Sequence, residues 1–212
     1  MFTLSVTNLE KRFGRHPVFA SLNLRFEQAT LGIGGPNGSG KSTFLRCLAG
    51  LLRPSDGQIQ WLHRDREINL RRLRQYIGFV APSIAYYPDL SVRENLELVV
   101  RMRGDRTRTE AIDPLLESYG MLEHRLKTFS QLSSGQQQRI KLAAAMIHDP
   151  ELLFLDEPGT NLDERGRELI FRTVSEMVEN GRQVILASND ERELDLCTQV
   201  VRLDRSSGQT AA

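Results

Sequence analysis

The sequence has little of what marks secreted, membrane-spanning or nucleic-acid-binding proteins. Only 2 of its 212 residues are cysteines, Cys47 and Cys197, and neither lies in a CxxC motif. We therefore expect reduced, buried thiols and no disulfide or zinc site. No apolar run approaches the roughly 18 residues of a membrane span, and the first ten residues lack an export signal. The formal net charge of +1 argues against a nucleic-acid partner held by bulk charge.

What is present is the composition of an ordinary globular protein. Hydrophobic residues make up 40% and charged residues 26% of the chain, which argues against disorder. The first and last thirds alternate strand patterns with helix patterns, whereas the middle is helical. This order predicts an α/β fold with a mostly parallel sheet covered by helices. Residues 84–145 are predicted to form a helical insert.

Local signals place the individual elements. Strands are predicted at 2–7, 22–26, 31–34, 57–62, 76–80, 151–156, 183–187 and 199–203. Helices are predicted at 41–52, from Ser91 to about 103, from Thr107 toward 118, after Gly135, and at 164–179. Ser91 and Thr107 each begin a sequence typical of a capping box, and Gly181 is predicted to stop the helix at 164–179.

A glycine-rich segment connects the predicted strand at 31–34 to the helix that begins at Lys41. Its residues Gly35, Pro36, Asn37, Gly38, Ser39, Gly40, Lys41 and Ser42 match G-x-x-x-x-G-K-[ST] in full, and Thr43 follows. Glycines let the backbone wrap around phosphate oxygens, and the helix N-terminus adds partial positive charge. We expect Lys41 to reach the β- and γ-phosphates of a nucleotide and Ser42 to ligate Mg²⁺. The alternative is a chance glycine-rich turn.

A second motif ends a buried strand in two acids, Asp156 and Glu157. Because ligands bind at the carboxyl edge of open α/β sheets, we expect both acids near the phosphate loop. Asp156 would complete the magnesium site, and Glu157 would activate the attacking water as general base. The alternative is a solvated acidic turn. Together the two motifs predict a P-loop NTPase.

A third motif selects the family. The segment at 132–139, LSSGQQQR, closely resembles the signature motif of ATP-binding cassette (ABC) proteins, with Ser134 where a second glycine is usual. The segment at 159–163 resembles the D-loop of that family and ends in Asp163. Phe13 occupies the place of the aromatic residue that stacks on adenine. On their own, the signature could be a helix cap and Phe13 a core residue.

The resemblance implies both an architecture and an assembly. It implies a P-loop NTPase (RecA-like) core at 1–83 and 146–205 with an N-terminal antiparallel β subdomain, an inserted α-helical subdomain at 84–145, and a tail at 206–212. It implies ATP and Mg²⁺ as cofactors. It also implies a head-to-tail homodimer, or a heterodimer with a second ABC ATPase. In that dimer the signature residues Ser133, Ser134, Gly135 and Gln136 contact the ATP held by the other subunit.

The chain departs from the family pattern at two positions. Pro82 stands where the family usually has a glutamine, and Asn189 where it usually has a histidine. Proline has no side-chain donor or acceptor, so that contact is lost or comes from a neighbour such as Ser83. The amide of Asn189 can donate a hydrogen bond to a γ-phosphate but carries no charge. Alternatively, Asn189 caps a short helix beginning near Asp190. Both departures predict slower hydrolysis.

The segment at 77–96 is most similar to the ATPase subunits of cytochrome c maturation haem exporters, and the ATPases of drug and lipid exporters share its features. This resemblance implies an integral membrane permease as partner and a place on the cytoplasmic face of the inner membrane. Docking would use the region at 82–100, with Ile84, Tyr86 and Tyr87 either at the surface or packed beneath the insert. A cluster of arginines at 64–74 is either a solvated edge or a lipid contact. A soluble assembly ATPase and a non-enzymatic nucleotide sensor are the alternative functions.

Overall fold

The computed structural model describes residues 1–104, 106–160 and 162–204, so the tail predicted at 206–212 lies outside the described residues. The strands are β1 (Phe2–Phe13), β2 (His16–Phe26), β3 (Thr30–Gly34), β4 (Asp56–His63), β5 (Arg66–Ile68), β6 (Ile77–Val80), β7 (Leu152–Asp156), β8 (Gln183–Ser188) and β9 (Gln199–Arg202). The α-helices are α1 (Lys41–Leu48), α2 (Leu70–Leu73), α3 (Val92–Met102), α4 (Ile112–Ser118), α5 (Ser134–Met146), α6 (Glu164–Glu179) and α7 (Glu191–Leu194). Three 3-10 helices span Arg106–Ala111, Leu122–His124 and Phe129–Gln131.

Five parallel strands form the central sheet in the order β6-β7-β8-β3-β9. Every residue of β3, β7 and β8 is buried, as expected for strands that are covered on both faces. Their carboxyl ends lie at one edge of the sheet. This edge brings together the phosphate loop after β3, the acids at the end of β7, and Ser188 at the end of β8.

An antiparallel sheet in the order β2-β1-β4-β5 packs against the central sheet. Alternate residues of β1, Phe2, Leu4 and Val6, face the shared core. Trp61 of β4 is buried there, and its indole Nε1 donates a hydrogen bond to the carbonyl of Leu48 at 3.0 Å. The end of α1 is thereby fixed to the antiparallel sheet.

The chain between β6 and β7 forms a helical layer. Ser91 caps α3 in the predicted capping box with Glu94. Asn95 is buried, and its side chain bonds the backbone of Tyr87 and Leu90, which shapes the loop before the helix. Apolar residues of α3, α4 and α5 share a core with β7 and α6 (Leu96, Val100, Ile112, Leu116, Ile140, Leu153, Leu155, Ile170). The helical layer therefore packs directly against the strand that carries the two acids.

Two predicted helix boundaries were wrong. Helix α1 ends at Leu48 and not at 52, because Gly50 takes a left-handed conformation (φ 68°) and reverses the chain. The helix predicted to begin at Thr107 begins later in the chain. Thr107 lies in a 3-10 helix, and α4 begins only at Ile112, with Ala111 as its N-cap. The prediction at 164–179 matches α6 at both ends.

Candidate nucleotide-binding site

The glycine-rich segment forms a tight loop that ends on the N-terminus of α1. Gly35, Gly38 and Gly40 all have positive φ values, of 140°, 82° and 99°. A Cβ atom on Gly35 would collide with the carbonyl oxygen of Leu203, and one on Gly40 would lie 2.8 Å from Val18 Cγ1. The loop therefore requires glycine at these positions, as a backbone that closely wraps an anion does.

Lys41, the first residue of α1, is buried with 4% of its surface exposed. Its ammonium group donates to the carbonyl oxygens of Gly35 at 2.9 Å and Pro36 at 3.3 Å. It also lies 3.0 Å from Glu157 Oε1. The structure thus joins the predicted phosphate-binding cation to the predicted general base in one ion pair.

Asp156 and Ser42, the two residues predicted to bind Mg²⁺, contact each other. Ser42 Oγ donates to Asp156 Oδ1 at 2.6 Å, which brings together the two residues predicted to hold Mg²⁺. Burial raises the pKa of the Asp156 carboxyl, and the hydrogen bond from Ser42 opposes that shift. Within the described residues, no group of three His, Cys, Asp or Glu side chains could hold a metal ion. A cation here would need further oxygen ligands, such as those of a nucleotide phosphate.

Arg46 connects Asp156 to the loop that carries the unusual proline. Its guanidinium Nη2 lies 3.4 Å from Asp156 Oδ2 and 3.1 Å from Ser83 Oγ. Pro82 contributes only its backbone carbonyl, which accepts a hydrogen bond from Lys141 Nζ of α5 at 3.1 Å. Arg46 therefore connects this loop to Asp156, and Lys141 connects it to the helical layer. The family usually has a glutamine at the position of Pro82. The sequence analysis did not identify Arg46 or Lys141.

Glu157 has a left-handed backbone conformation (φ 48°), and its N–H donates to the carbonyl of Ala187 at 2.8 Å. This conformation is uncommon for a residue other than glycine. The bond to β8 holds the residue there, immediately after β7. The carboxylate consequently faces the phosphate loop, where it pairs with Lys41.

An open cavity of about 610 Å³ lies over the phosphate loop. It is lined by Val18, Asn37, Gly38, Gly40, Lys41, Ser42, Thr43, Pro82, Glu157, Thr160 and Asn189. The side-chain amide of Asn189 donates to Asn37 Oδ1 at 3.0 Å, so Asn189 lies beside the loop. The cap of the short helix α7 is Asp190, which accepts from Arg192 N, and the capping alternative for Asn189 is therefore wrong.

The residues present fit a nucleotide phosphate with a divalent cation. One cavity is lined by a buried ammonium group, by Gly40, which has no room for a Cβ, and by the hydroxyl of Ser42, which donates to the buried Asp156 carboxylate. The hydroxyl of Ser39 is buried in the same loop, and no hydrogen-bond partner for it lies among the described residues. These are the donors that a phosphate group requires and the oxygen ligands that Mg²⁺ prefers.

The signature residues lie at the N-terminus of α5. Ser133 is the N-cap, its Oγ accepts from Gln136 N at 3.3 Å, and Gln136 Oε1 accepts from Ser133 N at 3.0 Å. Ser134 begins the helix without a positive φ, so its side chain is accommodated where a glycine is usual. These residues and Gly135 line a separate cavity of about 470 Å³, together with Gly120, Met121, Glu123, His124, Arg139 and Asp163.

No described residue lines both cavities, so one chain does not bring its signature to its own phosphate loop. Asp163 caps α6 through a hydrogen bond from Gly166 N and lies 3.6 Å from Arg139, while Asn161 lies outside the described residues.

Phe13 is 52% exposed, with Lys11 Nζ 4.9 Å from its ring centroid, so the core alternative for Phe13 is wrong. It does not line the larger cavity; Val18, which the sequence analysis missed, does.

Comparison with known proteins assigns the family. A profile described as "ABC transporter" matches residues 20–160. The chain belongs to the ABC transporter family. This membership confirms the predicted family. The antiparallel and parallel sheets of the chain also agree with the predicted P-loop NTPase fold.

Individual ABC proteins resemble the chain closely. The daunorubicin resistance ATP-binding protein DrrA3 of Streptomyces coeruleorubidus is 40% identical over 197 residues, which cover 91% of this chain and 62% of the relative. The bacitracin transport ATP-binding protein BcrA of Enterococcus faecalis is 30% identical over 94% of this chain and 65% of its own length. The chain thus spans less than two thirds of these relatives.

A solved structure extends the comparison to the fold. The ABC cassette MJ0796, solved as a dimer in a post-hydrolysis state bound to ADP and Pi, superposes with a TM-score of 0.81 at 25% identity. The match covers 95% of this chain and 94% of that one. None of the helices in the described parts of this chain is both long and apolar enough to cross a bilayer.

Proposed function

We propose that the chain is the ATP-binding and ATP-hydrolysing subunit of an exporter that acts through a separate membrane permease. One observation carries this proposal: a single cavity is lined by the Lys41–Glu157 ion pair and by Ser42, whose hydroxyl donates to the buried Asp156 behind it. The similarity to MJ0796 bound to ADP and Pi supports the same reaction. We further propose the subdomain limits given above, with the helical subdomain at 84–145.

Different residues at the cavity bind the phosphates, hold Mg²⁺ and accept the proton during hydrolysis. The loop amides and Lys41 bind the β- and γ-phosphates, and Lys41 exchanges its carbonyl and carboxylate partners for phosphate oxygens. Ser42 and Asp156 would hold Mg²⁺, which neutralises charge on the phosphates when bound. Release of Lys41 frees Glu157 to accept a proton from the attacking water. Asn189 donates a neutral hydrogen bond to the transferring group.

The signature supplies the remaining contacts from a second subunit. Ser133 and the first amides of α5 form an anion-binding helix N-terminus in a cavity that is separate from the phosphate loop. A head-to-tail dimer would place it over the ATP of the partner, with Phe13 stacked on adenine and Asp163 at the junction. The dimeric state of MJ0796 supports this arrangement, as a homodimer or a heterodimer with a second ABC ATPase.

The relatives favour drug-like cargo over haem. DrrA3 is named for daunorubicin resistance and BcrA for bacitracin transport. Nothing in these names supports the resemblance to haem exporters, whereas the alternative of a drug or lipid exporter agrees with them. We therefore propose an amphipathic small molecule as the transported class, with this subunit at the cytoplasmic face of the membrane.

We place permease docking in a cleft between the central sheet and the helical layer. This cleft has a volume of about 580 Å³ and is lined by Leu51, Arg74, Gln75, Ile77, Phe79, Arg103 and His148. Leu51 is 50% exposed there. Of the aromatic candidates nearby, Tyr86 stacks on Phe129 with ring centroids 5.0 Å apart, whereas Tyr87 is 61% exposed. Tyr86 therefore supports the helical layer, and Tyr87 remains available to a partner.

ATP turnover with Mg²⁺ tests the catalytic half of the proposal. Glu157→Gln should retain ATP binding and lower the rate about 10²- to 10⁴-fold, the usual cost of losing a general base. The matched control is Glu151→Gln, just before β7 at the opposite end of the same strand, which should change the rate less than about twofold. Equal rates for all three proteins would contradict the proposal.

Membrane association tests the transport half. The chain should sediment with membranes when it is co-expressed with its permease. Leu51→Glu should release it, because a carboxylate would enter the docking cleft, whereas Leu126→Glu, at a position 73% exposed and outside that cleft, should not. An active ATPase that stays in the soluble fraction would instead support the alternative of an assembly ATPase.

A further inference from the structure

A histidine lies against the signature motif and takes part in its helix cap. His124 ends the 3-10 helix Leu122–His124, and only 13% of its side chain is exposed. Its Nε2 lies 2.7 Å from Gln136 Nε2. Gln136 in turn forms the reciprocal cap with Ser133, the signature serine. One side-chain amide therefore connects the imidazole to Ser133, the N-cap of the signature helix.

The hydrogen-bond directions fix the protonation state of the histidine. Gln136 Oε1 accepts from Ser133 N, so the amide nitrogen of Gln136 faces His124 and must donate. His124 Nε2 can accept this bond only as a lone pair, which requires a neutral imidazole with its proton on Nδ1. No partner for the buried Nδ1 lies among the described residues, so Gln136 alone selects this tautomer.

We propose that His124 is a positioning residue for the signature motif: its neutral form holds Gln136 in the cap of Ser133, and its protonation breaks that cap. A second proton turns Nε2 into a donor that opposes the N–H₂ group of Gln136. Either the amide rotates and presents N–H to Ser133 N–H, or it leaves the imidazole. Both responses disorder the N-terminus of α5, where we place the contact to the ATP of the partner subunit. This inference rests on the proposed function.

The charged groups around His124 give the protonated form an alternative partner. Glu123 Oε1 lies 3.7 Å from His124 Nε2, at a side chain that is 81% exposed. Arg139 and Asp163, which pair with each other at 3.6 Å, are the other charged side chains along this cavity. Glu123 can attract an imidazolium away from Gln136, whereas the charge of Asp163 is already balanced by Arg139. Protonation therefore switches Nε2 from Gln136 to Glu123.

Two substitutions separate positioning from packing. His124→Gln can place a carbonyl oxygen where Nε2 lies and cannot titrate, whereas His124→Leu removes the acceptor. In the wild type we expect turnover to fall about fivefold on acidification from pH 8, because a protonated imidazole cannot accept the hydrogen bond from Gln136. His124→Gln should lose this acid limb, and His124→Leu should be slow at every pH. ATP binding to the monomer should be unchanged in both.

Several turnover results would overturn the proposal. An acid limb that persists in His124→Gln would assign the titration to another group. A rate that rises in acid, in the wild type only, would mean that the imidazolium attracts the nucleotide. A wild-type profile in His124→Leu would leave the histidine without a role in the signature.

Measurements without nucleotide keep this test separate from the proposed function. Nitrogen-15 NMR of labelled histidine should show His124 as the Nδ1–H tautomer at pH 8, and Gln136→Leu should abolish that preference. The Ser133 amide should exchange faster with solvent in His124→Leu, and in the wild type as the imidazole titrates. A Nε2–H tautomer, or equal protection of Ser133 in all variants, would refute the proposal even if the chain hydrolyses ATP. An inactive chain with the expected tautomer would refute only the proposed function.

Discussion

The two cavities of this chain differ in how their polar groups are satisfied. The cavity over the phosphate loop is built on charge: Lys41 pairs with Glu157, and Asp156 is buried between Ser42 and Arg46. The cavity at the signature has the charged side chains of Glu123, Arg139 and Asp163 along it, but its helix N-terminus is held by neutral capping. Because Arg139 pairs with Asp163, this cavity offers an anion mainly helix amides, whereas the phosphate cavity offers the buried ammonium group of Lys41. We infer that the phosphate loop binds ATP alone and that the signature acts only once the nucleotide is bound.

The largest effect should come from removing the buried cation. Among the described residues, Lys41 has the only ammonium group that lines the phosphate cavity, and Lys41→Ala deletes it and leaves Glu157 without this partner. ATP affinity should fall at least 100-fold, as expected when a charge-assisted contact is lost in a partly dehydrated site. Fluorescent nucleotide titration measures this, and Lys127→Ala, at an exposed residue outside the cavity, is the control. Unchanged affinity would mean that the loop does not bind nucleotide.

An intermediate effect is expected at Asn189. Asn189→Ala removes one neutral donor and should slow turnover roughly tenfold, whereas Asn189→His should keep or raise the rate. Asn189→Asp cannot donate to Asn37 and would place a carboxylate facing the γ-phosphate, so its turnover should be lost. Because Asp190 provides the cap of α7, the melting temperature should hardly change. A fully active Asn189→Asp protein would refute the proposed contact.

The smallest effect is expected on thermal stability, at the buried carboxyl group of Glu193. Burial raises the pKa of Glu193, and the nearby Asp190 and Glu157 carboxylates raise it further, against the hydrogen bond from Ser188. A raised pKa favours the folded state below the unfolded pKa, and that gain is lost as pH rises through the folded value. Glu193→Gln should therefore raise the melting temperature by about 2 °C at pH 7.5 and leave it unchanged near pH 4.

Asp190→Asn is the opposing control for Glu193→Gln. Hydrogen bonds from Arg192 and Arg167 lower the pKa of Asp190 to about 2. Its contribution to stability is therefore present above the unfolded pKa and is lost as pH falls toward 2. This substitution should lower the melting temperature at pH 7.5. A lower melting temperature in Glu193→Gln as well would show that its buried carboxylate is stabilising.

The sequence was sufficient where the signal is local. The spacing of Gly35, Gly40 and Lys41 identified the loop because each residue meets a requirement of its own backbone position. The helix Glu164–Glu179 was predicted at both ends, with Gly181 as its stop signal, and Gly181 has a left-handed conformation in the structure. The helix start predicted at Thr107 was wrong. The chain there forms a 3-10 helix, and a pattern of four residues does not distinguish this from the start of an α-helix.

The residues that the sequence did not identify act across long separations in the chain. Arg46 of α1 contacts Ser83 and Asp156, and Lys141 of α5 contacts the carbonyl of Pro82. His124 meets Gln136 only because the 3-10 helix folds back onto the start of α5. Such pairs have no fixed spacing, so only the folded structure brings them to notice.

The measurement that tests the central claim most directly is the size of the Glu157→Gln protein in ATP and Mg²⁺, with and without Ser133→Arg. We expect Glu157→Gln to sediment at twice the chain mass, because ATP that is bound but not hydrolysed should hold the signature of one subunit against the phosphate loop of the other. Adding Ser133→Arg should return the protein to a monomer that still binds ATP, since the bulky side chain blocks only the cavity at the signature. A dimer that survives Ser133→Arg, or a Glu157→Gln protein that is monomeric at saturating ATP, would contradict the division of labour between the two cavities.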